Sequence, residues 1–472
     1  MLDGSLYEEA WYYSRLMLSL NKIFSKLRKN KTKKNGKASP PQRDPLIIPR
    51  PDHTISRSQI SSAALKVLYG LKEAGYDAYL VGGCVRDLLL GHEPKDFDVA
   101  TNASPEQVHK VFKRSRLIGR RFKLVHVRFG REVIEVATFR APPEAEQHVD
   151  DQGRIVRDNV YGTLEQDAWR RDFTINALYY NIQDFSIVDY TDGLADLQAG
   201  KIRLIGNVET RYREDPVRIL RAIRFVGKLG LVMDDDTEAW IPTLAGLLKD
   251  IPPARLFDET LKLYLSGNAA VTNELLNHYG VFEHLFPQTD ALLHEEQDGY
   301  PRVLLTKALE NTDKRIDDNK PVTPAFLFAA LLWEPVRQRW QDYMANNIPA
   351  IPALQRAASE VIAEQVQRVA IPKRYTLVTR DIWVLQIRLT QRLGKRAFRS
   401  LAHPKFRAGY DFLLLRNESG EALEELSEWW TLFQEQDEAE QQKMINALPA
   451  SAGGAKKRPR RRRRRKPVVK SD

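Results

Sequence analysis

Apolar positions between Ala63 and Ala74 recur at helical spacing, and Gly75 then stops the run. Tyr79-Leu80-Val81 reads as a short buried strand, which Gly82-Gly83 turns into a helix over Val85–Leu90. Gly91-His92-Glu93-Pro94 is a loop, and Phe97–Ala100 alternates as a strand does. Pro105–Phe112 predicts a helix. Leu124–Phe129 and Val133–Thr138 predict two strands joined by a turn at Gly130-Arg131. Residues 141–160 are polar with two prolines and are expected to form a mobile loop. From Glu165 onward helical patterns dominate except near Ser186–Tyr190 and Ile202–Leu204, and after about residue 250 strand signals almost vanish. The fold class this implies is α+β: a small mixed head over 58–200, then helical segments over 201–270 and 271–450.

The two ends follow other patterns. Leu6, Trp11, Leu16, Leu20, Ile23, Phe24 and Leu27 fall near helical spacing, and residues 29–57, rich in Lys, Pro, Asn and Ser, read as a linker. Residues 1–57 are thus an N-terminal extension. With Lys22–Lys37 behind it, the apolar stripe is suited to weak contact with an anionic membrane surface; a partner-docking helix is the plainer reading. No stretch reaches the ~18 apolar residues of a membrane span. No secretory signal is evident. Cys84 is the only cysteine, which excludes an intramolecular disulfide and suits the cytoplasm.

Charge sharpens this division. The net charge is +11, yet residues 451–472 hold eleven Lys or Arg, including Arg460, Arg461, Arg462, Arg463, Arg464 and Arg465. Without those eleven, 62 basic residues face 62 acidic ones. Like charges at this density repel, so the tail is expected to be disordered. Its affinity would be for polyanions, through counterion release from phosphates.

Asp96-Phe97-Asp98 is the first candidate for chemistry. Residues i and i+2 of a strand share a face, so both carboxylates project together while Phe97 turns inward. Mg²⁺ prefers such oxygen ligands and keeps positions for phosphate and water. Alone, Asp-x-Asp is commonplace. Here Gly82-Gly83 stands fourteen residues upstream, in a strand–turn–helix that brings backbone N–H groups to an anion, with Arg86 and Asp87 following.

Leu80–Asp87 followed by Lys95–Thr101 resembles the signature of the polymerase-β-like nucleotidyltransferases, in the branch that holds CCA-adding enzymes and bacterial poly(A) polymerases. Arg170–Ala177 resembles that branch's ribose-reading motif, and Arg213–Phe225 its base-reading helix. The resemblance implies a catalytic head, a base-recognition neck over 201–270 and an RNA-binding body over 271–450. It also implies that Asp96 and Asp98 hold Mg²⁺, or Mn²⁺ in its place. Gly82, Gly83, Arg86, Asp87, Arg171 and Asn176 would serve the nucleotide, as would Asp215, Arg218, Arg221 and Arg224. Either Glu135 or Asp172 would be the third catalytic carboxylate, and the residues leave that choice open. Asp172 and Asn176 are four apart, and Asp215 and Arg218 three apart; on helices, each pair would share a face.

Leu117–Val127 separates the two kinds of member, because it resembles the bacterial poly(A) polymerases. Its cations Arg120, Arg121 and Lys123, with Arg114 and Arg116 before them, are candidate phosphate contacts. Ile251–Phe257, Ile371–Arg374 and His403–Arg407 resemble the same subgroup and add Lys405 and Arg407 as RNA-binding candidates. Phe406, Tyr410, Trp429 and Trp430 are candidates for stacking on bases, although aromatic residues in helical bodies more often belong to a core. The implied reaction is template-independent transfer of AMP from ATP to RNA 3′ ends by a two-metal mechanism, in mRNA processing and decay. Implied partners are RNA-chaperone or RNA-degradation proteins, in the cytoplasm or at the inner membrane face. A CCA-adding enzyme and an inactive RNA-binding relative are the alternatives.

Overall fold

The computed structural model describes residues 44–119, 123–141, 160–293 and 302–449. The apolar–basic stretch at 6–37, Arg120, Arg121, most of the polar loop and the arginine-rich tail lie outside the described residues.

The head is built on an eight-stranded sheet. Its strands are β1 (Leu46–Ile48), β2 (Ala78–Val81), β3 (Asp98–Thr101), β4 (Ser115–Ile118), β5 (Leu124–Phe129), β6 (Glu132–Thr138), β7 (Leu178–Asn181) and β8 (Ile187–Asp189). They lie in the order β1-β8-β7-β2-β3-β6-β5-β4, and every pairing is antiparallel except β3 with β6. Helices α1 (Ser62–Glu73), α2 (Gly83–Leu89) and α3 (Pro105–Val111) follow the pattern read from the sequence. Local chemistry starts two of them: the Ser61 hydroxyl accepts from the Ala64 N–H, and Ser104 with Gln107 forms a capping box. Apolar residues of α1 and α3 pack against Val99, Val125, Val127, Ile134 and Val136 of the sheet. On the other face, α4 (Leu164–Arg170) contributes Ala168 to a smaller cluster with Val81, Ala100, Phe139, Tyr179 and Val188.

Three strands correct the sequence reading. β1 lies inside the stretch read as linker, and pairing with β8 orders it. β4 is only partly apolar and is held by β5. β7 was covered by a helical pattern, but its Leu-Tyr-Tyr run is buried on both faces between β2 and β8, where period-2 alternation disappears.

Beyond the head the described chain is almost wholly helical. After α5 (Gly193–Gln198), α6 (Val208–Glu214) and α7 (Val217–Leu229) form the neck. Helix α7 buries Val217, Ile219, Leu220, Ala222, Ile223, Phe225 and Val226, and Gly230 ends it at φ +64°. Long helices follow, among them Pro253–Tyr264, Ala350–Arg368 and Lys373–Leu389. One apolar core runs from Ile48 in the head to Leu415 in the body. A second, around Trp430 and Phe433, closes the C-terminal helices. No helix among the described residues is long and apolar enough to cross a membrane.

Candidate active site

Strand β3 delivers Asp98 to the edge of the turn that leaves β2. Gly82 adopts φ +79°, a conformation that L side chains rarely take, and caps α2. A Cβ there would lie 3.7 Å from Asp98 Oδ2 and 3.8 Å from Arg171 Nη1, inside the space beside the carboxylate. Gly83 begins α2, so its backbone stands at the helix N-terminus. Cys84 is buried there. Its thiol donates to the Val81 carbonyl at 3.3 Å and is pushed up to about 12 by burial, so it packs and does not react.

Pairing across the sheet fixes the rest of the carboxylate row. Asp98 stands opposite Glu135 of β6, and Glu135 stands opposite His126 of β5. Arg116 of β4 is next in the row. Cross-strand neighbours share a face, so these side chains line one open strip. His126 Nε2 lies 3.1 Å from Glu135 Oε1. Asp96 is exposed in the bend just before β3. Asp98 is pushed up to about 6, first by burial and then by the charge of Glu135, with Asp96 adding to it; Arg171 opposes the shift. A carboxylate so destabilised as an anion gains most from an added cation. Among the described residues no three ligating side chains converge as a complete metal cage. One or two carboxylates presented beside the Gly82-Gly83 turn fit Mg²⁺, which is commonly shared between protein and nucleotide phosphates.

Asp172 is in a different setting. Its Oδ1 accepts from the Phe173 N–H at 2.8 Å and from Asn176 Nδ2 at 3.4 Å. Its Oδ2 accepts from Arg221 Nε at 2.7 Å. It is held down to about 2: burial works against this, and the Arg221 charge with these hydrogen bonds overcomes it. Asp172 and Asn176 do not share a helix turn. A short 3₁₀ turn, Thr174–Asn176, brings them together. Asn176 Oδ1 in turn accepts from Arg86 Nη1 at 2.6 Å, and Arg86 Nε donates to Asp87 Oδ1 at 2.9 Å. Arg86 is therefore a buried strut from α2 to the Asp172 turn, with its guanidinium largely spent on protein partners. Arg171 likewise donates to Asp167, at 2.9 Å, and to the Tyr179 hydroxyl, at 2.8 Å.

The neck corrects the single helix expected for Arg213–Phe225. The chain breaks at Asp215-Pro216, where Asp215 caps α6 with φ −152° and ψ 88°. Proline has no N–H to continue the ladder. Asp215 and Arg218 are therefore not partners on one helical face. Arg255 Nη2 donates to Asp215 Oδ2 at 2.7 Å, while Arg218 donates to Glu214 at 3.1 Å and is buried. Arg218, Arg221 and Arg224 form a stripe at i, i+3, i+6 of α7. Arg224 lies 4.6 Å over the Phe225 ring, and its buried Nε has no hydrogen-bond partner among the described residues. Burial lowers the Arg224 guanidinium, and the neighbouring Arg221 charge adds to this. Such a cation is placed to accept an anion.

Sequence reasoning missed three groups. Arg255 was within a noted segment, but nothing local linked it to Asp215. Arg211 donates to the carbonyls of Arg170 and Arg171 and so ties the neck to the head. His126 reaches Glu135 only through the hairpin register. Of the RNA-binding candidates, Lys123 is exposed, 3.8 Å from Glu106. Arg407 pairs with Asp411 at 2.9 Å, and Lys405 is partly buried. Phe406, Tyr410 and Trp430 are core residues; only Trp429 keeps partial exposure, with Arg392 5.3 Å over its ring.

A family model described as the poly A polymerase head domain matches residues 78–203. Models for a probable RNA- and SrmB-binding site of polymerase A and for its arginine-rich C-terminus match 230–293 and 346–466. Poly(A) polymerase I of Salmonella typhi is 51% identical over 411 residues, covering 85% of this chain and 88% of that protein. The chain belongs to the poly(A) polymerase I family. The same family's protein from Haemophilus influenzae is 48% identical over 85% of this chain and 91% of its own length. By contrast, the CCA-adding enzyme of Lactobacillus johnsonii is 37% identical over 48% of this chain and 56% of that protein. Among solved structures, an apo tRNA-processing enzyme shares the fold, with TM-score 0.56 at 22% identity over 83% of this chain and 98% of its own.

Proposed function

We infer that the protein is a polynucleotide adenylyltransferase. It extends RNA 3′ ends without a template, transferring AMP from ATP to the terminal hydroxyl and releasing pyrophosphate. Family membership supports the reaction. The observation that carries its placement on these residues is the Asp98 carboxylate, raised beside Glu135 and open to the Gly82 turn.

Asp96 and Asp98 would hold Mg²⁺, with Glu135 as the third carboxylate beside them. A metal held there would supply the positive charge that lowers the proton affinity of the attacking hydroxyl and offsets the charge of the leaving pyrophosphate. The chain's own groups then position. The glycine turn and the N-terminus of α2 receive triphosphate oxygens through backbone N–H groups. Arg224 and the face of Arg221 turned from Asp172 complete the anion site. Asp172, fixed by Arg221 and Asn176, offers an acceptor at the ribose. Asp215 and Arg218, steadied by Arg255 and Glu214, read the adenine edge. The work of the protein is positioning and fixed electrostatics, which need no covalent intermediate.

The reading extends to cytoplasmic mRNA processing and decay, alongside RNA-chaperone or RNA-degradation proteins. The basic tail supports RNA contact, and the pattern of residues 6–37 supports weak contact with the inner membrane face. An extension assay tests the core of it. Purified protein, Mg²⁺ and a labelled single-stranded RNA are incubated with each NTP separately, alongside a tRNA lacking its CCA end. Long ladders with ATP alone are expected. Addition of only C, C and A to the tRNA would make the protein a CCA-adding enzyme. No extension of either RNA, with binding intact, would leave an RNA-binding relative.

A further inference from the structure

The β5–β6 hairpin that carries His126 and Glu135 ends in a basic cavity on the head, outside the nucleotide site. Its volume is about 590 Å³, and it is framed by the start of α1, the end of α3 and the hairpin turn. Lys66, Lys113, Arg114 and Arg128 line it, against one acid, Glu132. All four cations are exposed, and none forms an ion pair among the described residues. Lys66 lies 5.8 Å over the Phe129 ring; Phe112 and Phe129, both half-buried, supply an apolar wall. Arg128 is anchored through its backbone, which donates to the Arg114 carbonyl at 3.0 Å. In the hairpin register Arg128 stands opposite Val133, two residues before Glu135, or about 7 Å along the strand.

We propose that this cavity binds the backbone of the RNA substrate a few nucleotides upstream of its 3′ end. The proposal rests on the adenylyltransferase reading for the identity of the strand. The chemistry is that of a single-strand groove: unpaired cations track phosphates while aromatic edges border a space of nucleotide size. Four cations facing one acid would repel one another without an anion, and no protein carboxylate besides Glu132 lines the cavity to relieve that repulsion. Arg128 shares the face of His126 on β5, while α1, α3 and Val127 wall the cavity from the other face of the sheet, so the strand would round the end of the hairpin between the catalytic strip and the cavity. The cavity also lies apart from the matched segments 230–293 and 346–466, so the head itself would guide the strand.

The test compares the full-length protein with a Lys66→Glu/Lys113→Glu/Arg128→Glu variant and with the corresponding Gln variant. Steady-state extension would be measured on an RNA of about 15 nucleotides, long enough to fill a single-strand site, and on a dinucleotide primer that cannot reach the cavity. KM for the long RNA should rise tenfold or more in the Glu variant and less in the Gln variant, with kcat and the dinucleotide KM unchanged. In direct binding by fluorescence anisotropy, the slope of log affinity against log salt should fall by about 2, at about 0.7 per lost phosphate contact. Unchanged affinity for the long RNA would overturn the proposal, as would an equal rise in KM for both primers. If the parent protein extends no RNA, the adenylyltransferase reading fails, while the anisotropy slopes still decide whether the cavity holds the strand.

Discussion

Asp98 and Asp172 are the same residue type, both only partly exposed, and their carboxyls are driven in opposite directions. Asp98 is raised to about 6 by burial and by neighbouring carboxylates, and Asp172 is lowered to about 2 by Arg221 and three hydrogen bonds. The head therefore keeps an acid whose nearby cation, Arg171, is committed to Asp167, and the junction with the neck keeps one that is already satisfied. An unsatisfied carboxylate favours an exogenous cation. A satisfied one holds a fixed position and can orient a neighbour or accept one further hydrogen bond. This comparison favours Glu135 over Asp172 as the third carboxylate, because Glu135 stands in register with Asp98 and Asp172 is committed to Arg221.

The largest effect that would break the comparison is at Asp98. Asp98→Ala should reduce extension by about a thousandfold or more, roughly 4 kcal/mol of transition-state stabilisation, and leave RNA binding within twofold. Extension and anisotropy measured on the same preparation check this; near-normal turnover would displace the site. The neck should respond in stability instead. Arg221→Met strands a mostly buried carboxylate and should cost about 2–3 kcal/mol in urea unfolding. Asp172→Asn combined with Arg221→Met should cost less than the sum of the single changes, and additive costs would mean the pair is not coupled.

The smallest predicted effect is in pH. The folded carboxyl of Asp172 lies below its ordinary value of 3.8, so the ionised form is the one the fold favours. Its contribution, about 2 kcal/mol, is fully present above pH 5 and is lost as pH falls through 3.8 toward 2. The stability gap between the parent protein and Asp172→Asn should therefore narrow as urea unfolding is repeated from pH 5 to pH 3. A gap that widens on acidification would reverse the assignment.

The sequence by itself determined what depends on neighbours in the chain. Backbone periodicity brought Asp98 onto a strand, made Gly82-Gly83 a strand-to-helix turn, and separated a mixed head from a helical body; the strand face expected to be shared by Asp96 and Asp98 does not form, because Asp96 lies in the bend before β3. Its motifs also sufficed for the family. Where local rules were stretched they failed for physical reasons: β7 is buried on both faces, β1 exists only through its pairing with β8, and proline ends the ladder at Asp215. Only the tertiary structure decided the partners. The parallel β3–β6 register sets Glu135 against Asp98, and the hairpin register sets His126 against Glu135. Helix packing brings Arg221 to Asp172 across 49 positions and Arg255 to Asp215 across 40. It also buries Phe406, Tyr410 and Trp430, which the sequence offered as candidates for stacking on bases but more often for a core. The reason is one of range: dihedral preferences act over a few residues, whereas charge pairing and burial act through space, after distant elements have packed.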